Sequence, residues 1–471
     1  MDTLSTDEMD TTWAVTEFAD AELGDLRRTQ RLVELATVLA QRPNASLPAA
    51  CEGDRAFLKA TYRFFDNAAI APQDLLQSHS DTTLLRLSAV PLILAVQDTT
   101  EVDWTAHPAT TGLGPLTHPA HRGLHVHTTL AFTPERVPLG LLAQQVWARD
   151  PMAVGQKATR KQRPIADKES YKWLASVQAV CAARAACPQT RFVSVGDREA
   201  DVYDLFLVER PAGVDLLVRA AWDRRVTHPE GYLWAAIAAC PAAATLTVQV
   251  PRRGPQAPRP ATLTLRFGRI TLRPPRHRAR ERLPVVPIWA VQVLEEQPPA
   301  GAEPVEWLLL TTVPVLDVPA ATRCLDWYGG RWGIEVWHKI LKSGCHIEAR
   351  QLGNAASLER CLTVYSVIAW RIFYATMLSR TVPDLPCTVL LELEEWQALY
   401  CTIHHTSTPP ATPPSLRQAI HWIAQLGGFL AHRKAGEPGV TVLWKGFQRL
   451  IDLTIMYRIM RSPPVEAKKC G

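Results

Sequence analysis

The order of apolar segments between residues 88 and 201 constrains this fold most strongly. "AVPLILAVQDTT", "GLHVHTTLAFTP" and "RVPLGLLAQQVWARD" are typical of strands, "DKESYKWLASVQAVCAARAAC" of a helix, and "TRFVSVGDREAD" of another strand. Asp98 ends the first apolar run and Asp197 ends the fourth. This order predicts an α/β sheet in which the first and fourth strands lie side by side. Functional groups in such sheets gather at strand ends.

Composition excludes some classes of protein. The 471 residues are 47% hydrophobic and 21% charged, as in ordinary globular proteins, and no apolar run is long enough to span a membrane. The N-terminus, "MDTLSTDEMDTTW", is acidic and polar, unlike a secretory signal. The ten cysteines are scattered, which favours reduced thiols in a cytoplasm. A net charge of +5 is too mild to prove a nucleic-acid partner, so the placement of charge matters more.

Basic rows mark the first 70 residues, which are expected to be helical. "GDLRRTQRLVELATVLAQR" and "GDRAFLKATYRFF" each begin with an Asp suited to capping a helix. One row of like-charged side chains is usually a solvated helix face. Two rows in one small unit favour a domain that contacts phosphates. The cations concerned are Arg27, Arg28, Arg31, Arg55, Lys59 and Arg63.

Residues 222–316 interrupt the α/β pattern with four β-like segments, separated by the basic stretches "PRRGPQAPRP" and "RPPRHRARERLP". We predict an all-β insertion with basic loops. After residue 345, "LERCLTVYSVIAWRIFYATML" is apolar on nearly every side and should be a buried helix. The remainder is predicted to be helical, with a linker at "HHTSTPPATPP" and a polar tail.

The stretch "DWYGGRWGIEVWHKILKSG", residues 326–344, is predicted to form one helix with an unusual polar stripe. Tyr328, Arg331, Glu335 and Lys342 fall within an arc of about 60°, at about 100° per residue. Such a narrow stripe, with one carboxylate among cations, differs from an ordinary solvated face. Lys339 adds a further cation.

Asp98, Asp197 and Glu335 are therefore candidate metal ligands. Two Mg²⁺ ions about 3.5–4 Å apart need carboxylates from separate elements, and cations beside them would hold the phosphates of a nucleic acid. Taken alone, each Asp is more often a turn former, and Glu335 with Lys339 is more often a surface ion pair. Spacing by itself leaves both interpretations open.

These blocks resemble the DDE transposases of bacterial insertion sequences, in the IS-four family that includes the Tn5 transposase. Tyr-x2-Arg-x3-Glu-x6-Lys is the signature of that family, and Tyr328, Arg331, Glu335 and Lys342 match it. "QDTT" at Asp98 and "GDREAD" at Asp197 resemble its two aspartate blocks. "LGDLRRTQRL" resembles its end-binding segment, and "EWLLLTTVPV" its last insertion strand.

The resemblance implies an RNase H-like catalytic core with a β insertion at about 222–316. It also implies three domains: a helical domain that binds DNA ends (1–70), a catalytic domain (71–375) and a helical dimerisation region (376–471). Family members bind the ends of an element, cleave them through Mg²⁺ and DNA hairpins, and join them to a target. Mn²⁺ is expected to substitute for Mg²⁺.

By position, Trp307 matches a tryptophan that holds a flipped base, and Arg219 a DNA-contacting arginine. Leu246 stands where the family has a tyrosine. The implied partners are double-stranded DNA and a second copy of the chain, in a bacterial cytoplasm near the nucleoid, without membrane or nucleotide cofactor. Two alternatives stay open: a metal-dependent nuclease that does not join DNA, and a domesticated DNA-binding protein or inhibitor of transposition. The histidines from His107 to His127 have no assigned role.

Overall fold

A computed structural model describes residues 13–153, 163–251, 257–430 and 436–461. The acidic N-terminus, half of the first basic stretch of the insertion (252–256) and the polar tail lie outside these ranges. Five helices form the N-terminal region, and Asp25 and Asp54 cap two of them as predicted, accepting from the backbone N–H of Arg27 and Phe57 at 2.9 Å. The five helices are Trp13–Phe18, Leu26–Gln41, Leu47–Ala50, Arg55–Phe65 and Pro72–Ser88.

One mixed sheet of ten strands organises the middle of the molecule. The strand order is β2-β3-β1-β5-β6-β10-β9-β8-β7, and β4 pairs with β3. The predicted neighbours, β1 and β5, are parallel, as are β5 and β6, whereas β3 is antiparallel to both β1 and β4. The strands are β1 Leu92–Asp103, β2 Gly114–Pro115, β3 Arg122–Phe132, β4 Pro138–Trp147, β5 Arg191–Gly196, β6 Val214–Arg219, β7 Ala244–Val250, β8 Arg259–Leu272, β9 Val286–Leu294 and β10 Glu306–Thr311.

The insertion extends this sheet instead of forming a separate one. Its strands β7 to β10 are antiparallel, and β10 pairs with β6. The prediction of an all-β insertion is wrong in one respect, because Leu233–Ala238 is a helix whose Leu233, Ala236 and Ile237 are buried. The helix was not predicted because it has only six residues, too few to show a helical period among the β-like segments around it.

The stretch predicted as one helix is a succession of three. Val318–Gly330 and Trp332–Lys339 are α-helices, and Ile340–Gly344 is a π-helix. Arg331 joins the first two and keeps helical backbone angles (φ −53°, ψ −33°), so the chain stays helical through this junction. Gly333 lets the second helix approach the sheet, since a Cβ there would lie 2.8 Å from the Phe132 ring of β3.

The C-terminal region is helical, as predicted, with Ala355–Thr381, Leu393–His404, Leu416–Leu426 and Val440–Arg461. The first of these helices runs through residue 375, where the catalytic domain was predicted to end. By length and composition it would be apolar enough to cross a membrane, but 78% of its most apolar window is buried inside the protein. Tyr365, Trp370, Phe373 and the aliphatic side chains along it pack into the same core as the sheet and the N-terminal helices.

Candidate functional site

Adjacent parallel strands bring the two candidate aspartates together. Val96 of β1 pairs with Val195 of β5, so Asp98 and Asp197 become neighbours two residues further along. Asp197 directly follows β5, as predicted, and accepts a hydrogen bond from Glu199 N at 2.8 Å. The prediction that Asp98 ends its strand is wrong, because β1 continues to Asp103 through its pairing with β3. The carboxylate nevertheless lies beside Asp197, where β5 stops.

Arg331 connects the helix to these strands. Its guanidinium donates to Glu335 Oε1 at 2.7 Å, one helical turn away, and lies 3.7 Å from Asp98 Oδ2. Arg331 is only 7% exposed, and its Nε has no partner. The three carboxylates thus come from three elements: Asp98 and Glu335 contact the buried guanidinium, and Asp197 lies beside Asp98.

The charge of this site is not balanced. Burial, and then the charge of Asp197, raise the pKa of Asp98 from 3.8 to about 7, with Arg331 opposing and Glu335 adding to the rise. Burial also raises the pKa of Asp197. One guanidinium therefore leaves excess negative charge at the aspartate pair, and additional positive charge would be favourable there.

The donor set suits a hard divalent cation, which prefers carboxylate oxygens. Within the described ranges, no three His, Cys, Asp or Glu side chains converge into a ready-made metal site. Glu335 is turned to Arg331 instead, and its side chain is 38% exposed. The residues therefore fit an Mg²⁺ site by chemistry and position, provided that Glu335 leaves Arg331.

His338 belongs to the site although the sequence did not mark it as a ligand or contact. Its Nδ1 lies 3.9 Å from Asp98 Oδ2, and its Nε2 is buried without a partner. Burial, with Lys342 and Arg331 adding, lowers the pKa of His338 to about 3, so the ring is neutral at physiological pH. Its position three residues after Glu335, on the same side of the helix, was the available signal.

An aromatic group adjoins Arg331 on the side of the insertion. The rings of Trp307 and Tyr328 meet edge to face at 5.1 Å, and Arg219 lies 5.9 Å above Trp307. Arg331 lies 5.8 Å from the centre of the Tyr328 ring. Trp307 is half-buried, whereas Tyr328 is buried. Three of the predicted DNA-contacting residues therefore form one contiguous cluster with Arg331, in which Trp307 is the half-buried member.

The two lysines do not join this group. Lys339 is exposed, and Lys342 lies in the π-helix, 3.5 Å from Glu348. The predicted helix is not regular up to Lys342, because the π-turn from Ile340 changes the spacing of side chains. Lys342 nevertheless lies near enough to the site to lower the pKa of His338. Glu348 also accepts from the backbone N–H of Asp103, at the end of β1.

The N-terminal cations lie on separate helices, away from the carboxylates in sequence. Arg55, Lys59 and Arg63 are exposed on one helix and have no ion pair with any described residue. Arg27 is also exposed, but Arg28 donates to Leu23 O. Arg31 pairs with Glu34 at 2.8 Å and lies over the ring of Phe57.

The histidines between positions 107 and 127 are used mainly in packing. His125 stacks on Trp147, and His127 meets Trp173 edge to face and bonds to Thr99 at 2.9 Å. Burial lowers the pKa of both rings. These contacts favour a structural role on β3.

Comparison with known proteins yields two family matches. Residues 10–70 match a family described as "Transposase DNA-binding", and residues 367–464 match one described as "Transposase Tn5 dimerisation domain". A cryo-EM structure of a piggyBac transposase synaptic complex with hairpin DNA is similar over 96% of this chain and 80% of that one, at 9% identity and a TM-score of 0.38. Similarity at that level does not establish a shared fold. The candidate carboxylates lie between the two matched segments.

Proposed function

We propose that Asp98, Asp197 and Glu335 are the Mg²⁺ ligands with which this protein cleaves the ends of a mobile element. The proposal starts from the two domain matches, which support a Tn5-like DNA transposase. One observation carries this proposal: three carboxylates from three elements lie together, Asp98 and Glu335 in contact with buried Arg331 and Asp197 beside Asp98. Two Mg²⁺ ions are expected, with Mn²⁺ as a substitute.

The chemistry at this site would be phosphodiester cleavage and rejoining. Bound Mg²⁺ supplies activation of a water or a 3′-hydroxyl and stabilisation of the leaving oxygen. In the first cut, the water oxygen bonds to phosphorus as the bond to the 3′-oxygen breaks, which leaves a 3′-hydroxyl. Before that cut, Arg331 would move from Glu335 towards a DNA phosphate, for which its planar guanidinium is suited, and so free Glu335 for the metal.

The strand order supports an RNase H-like core. Strands β4, β3 and β1 form an antiparallel meander, and β5 and β6 continue the sheet in parallel to β1. This arrangement places the two aspartates on central neighbours. We keep the division into domains at 1–70, 71–375 and 376–471 as part of the proposal.

Hairpin formation is assigned to the aromatic group. A 3′-hydroxyl that attacks the opposite strand needs a tight bend, which is relieved when a base leaves the stack. Trp307 offers a half-buried ring beside Arg219 and Tyr328, and stacking on such a ring offsets part of the cost of extrusion.

The remaining roles follow the matched domains. The N-terminal helices would bind the terminal repeats through Arg55, Lys59 and Arg63, with Arg27, Arg28 and Arg31 nearby. Lys339 and Lys342 would contact phosphates at the edge of the site. The C-terminal helices would join two copies in the DNA complex, and the protein would act in the cytoplasm beside the nucleoid.

Alanine substitution tests the proposal. Asp98→Ala, Asp197→Ala and Glu335→Ala should each abolish cleavage of a plasmid that carries the inverted repeats flanking the gene, while gel-shift binding to those repeats persists. Asp326→Ala, an exposed carboxylate on the helix preceding Arg331, is the matched control and should cleave normally. Normal cleavage by any of the three variants would refute the assignment of that ligand.

A further inference from the structure

A cavity of about 250 Å³ on the insertion is lined by five arginines and by no acidic residue. Four of them come from the connection between β8 and β9, and the fifth comes from the segment after β6. They are Arg225, Arg273, Arg276, Arg278 and Arg282. So much positive charge around one small space is costly unless an anion neutralises it.

Of these five arginines, only Arg278 has carboxylate partners among the described residues. It lies 2.6 Å from Asp204 and 2.6 Å from Glu281. In the part of the chain that the structure describes, no ion pair or side-chain hydrogen bond engages the guanidinium of Arg225, Arg273, Arg276 or Arg282. Arg278 therefore fixes the loop, and the other four remain available to a ligand.

The loop is held in place at several points, unlike an ordinary solvated loop. Tyr203 donates its hydroxyl to Pro284 O at 2.6 Å, and Arg273 N donates to Arg225 O at 2.8 Å. Val226 also forms a β-bridge with Leu272 at the end of β8. These contacts bring Arg225 against a loop nearly fifty residues later and define the cavity from both sides.

The cavity lies far from the candidate active site. Trp307 pairs with Val293 near the end of β9, whereas the arginine loop precedes Val286 at the start of that strand. Seven residues of strand at about 3.3 Å each separate the two by about 23 Å. That distance equals about seven base pairs of duplex DNA, at about 3.4 Å each.

We propose that this arginine cavity is a second DNA-binding site, which takes backbone phosphates of a duplex at a distance from the carboxylates. Guanidinium groups match phosphate oxygens in geometry and charge, and the protein is a DNA transposase. The phosphates belong either to the element end as it leaves the active site or to the target duplex. The proposal concerns binding alone and does not depend on the metal ligands.

Salt dependence of binding tests the site with a matched control. Arg276 lines the cavity, whereas Arg280, in the same exposed turn, does not. In EDTA, Arg273→Ala and Arg276→Ala should each reduce the slope of log K against log salt by about 0.9. Arg280→Ala should leave it unchanged, and Arg276→Lys should retain most of it. Melting temperatures verify that each variant is folded.

Two duplexes of equal length distinguish the source of the phosphates. If Arg276→Ala reduces the salt slope only on the duplex with the flanking inverted repeat, the site binds the element end. If it reduces the slope equally on an unrelated duplex, the site binds DNA of any sequence, as a target requires. Equal slopes for Arg276→Ala and Arg280→Ala on both duplexes would overturn the proposal. Loss of cleavage in the alanine variants of the carboxylates, with binding retained, would leave it untouched.

Discussion

At the scale of single residues, Arg331 holds the candidate site together. It is buried, bonds to Glu335 and lies close to Asp98 and Tyr328. A buried cation that served only one carboxylate would be a poor source of stability, because its desolvation offsets the attraction. Its contacts to three predicted site residues make it the organiser of the site, and the excess negative charge at Asp98 defines where a metal would bind.

Asp98→Asn should stabilise the protein at high pH. Because burial and Asp197 raise the pKa of Asp98 to about 7, the folded chain binds a proton that the unfolded chain releases near pH 4. The free energy of unfolding of the wild type therefore falls as pH rises from about 4 to 7. The Asn side chain is always neutral, so the gain in melting temperature over wild type, measured in EDTA, should be small at pH 4 and largest at pH 8.

The exposed Asp326→Asn is the control for that measurement and should show no such trend. A gain from Asp98→Asn that is the same at pH 4 and pH 8 would mean that Asp98 carries no excess repulsion in the folded protein.

Local sequence patterns predict some residues of the candidate site but not others. Asp197 and Glu335 stand out because one follows an apolar strand and the other sits among aromatic helix residues. The contact between Arg331 and Asp98 joins positions 233 residues apart, so no local pattern encodes it. The burial of His338 likewise depends on how the helix meets the sheet.

At the scale of elements, the two basic rows of the N-terminal helices differ in their contacts. Arg31 is engaged by Glu34 and Phe57, whereas Arg55, Lys59 and Arg63 face solvent along one helix. The second row is therefore the stronger candidate for docking on phosphates.

Replacing Arg55, Lys59 and Arg63 together by Ala should weaken binding to the terminal repeats. Each lost phosphate contact should lower the slope of log K against log salt by about 0.9, because fewer counterions are released. Lys445→Ala, at an exposed lysine on the helix Val440–Arg461, is the control outside this row and should leave the slope unchanged. An unchanged slope in the triple variant would mean that these three side chains form an ordinary solvated helix face and do not contact phosphates.

Periodicity predicted most strands and helices but not their irregularities. The strands of the insertion were visible in alternating apolar residues, yet the helix Leu233–Ala238 between them was not. The π-turn after Lys339 was not predicted either; its Gly344 lies against Trp444, so that a Cβ there would come within 3.0 Å of the indole ring. The first feature adds a helix to the insertion, and the second alters the side-chain spacing before Lys342.

At the scale of the whole molecule, two buried arginines tie the N-terminal helices to the rest. Arg360 donates to Ile70 O at 2.6 Å and to Phe65 O at 3.0 Å. Arg350 donates to Pro43 O and Ala45 O, in the connection that follows the helix Leu26–Gln41, and lies over the Tyr365 ring. Since Arg350 follows the π-helix, the DNA-binding helices are fastened close to the chain segment that carries Glu335.

Arg360→Met should loosen this connection at similar side-chain volume. Two buried carbonyls would lose charged donors, which should lower the free energy of unfolding by on the order of 3 kcal/mol, measured in urea. Arg323→Met, at an exposed position on the helix Val318–Gly330, should change it by less than about 0.5 kcal/mol. Equal effects of the two substitutions would show that the hydrogen bonds of Arg360 to Ile70 O and Phe65 O contribute nothing to the free energy of unfolding.

The most direct measurement of the central claim is cleavage rate against Mg²⁺ concentration for two variants of Glu335. Glu335→Asp keeps a carboxylate but withdraws it by one methylene, so it should still cleave and should need more Mg²⁺ for half-maximal rate. Glu335→Gln keeps the size and removes the charge, so it should not cleave at any Mg²⁺ concentration while still binding the terminal repeats. Cleavage by Glu335→Gln with the Mg²⁺ dependence of the wild type would contradict the assignment of Glu335 as a metal ligand.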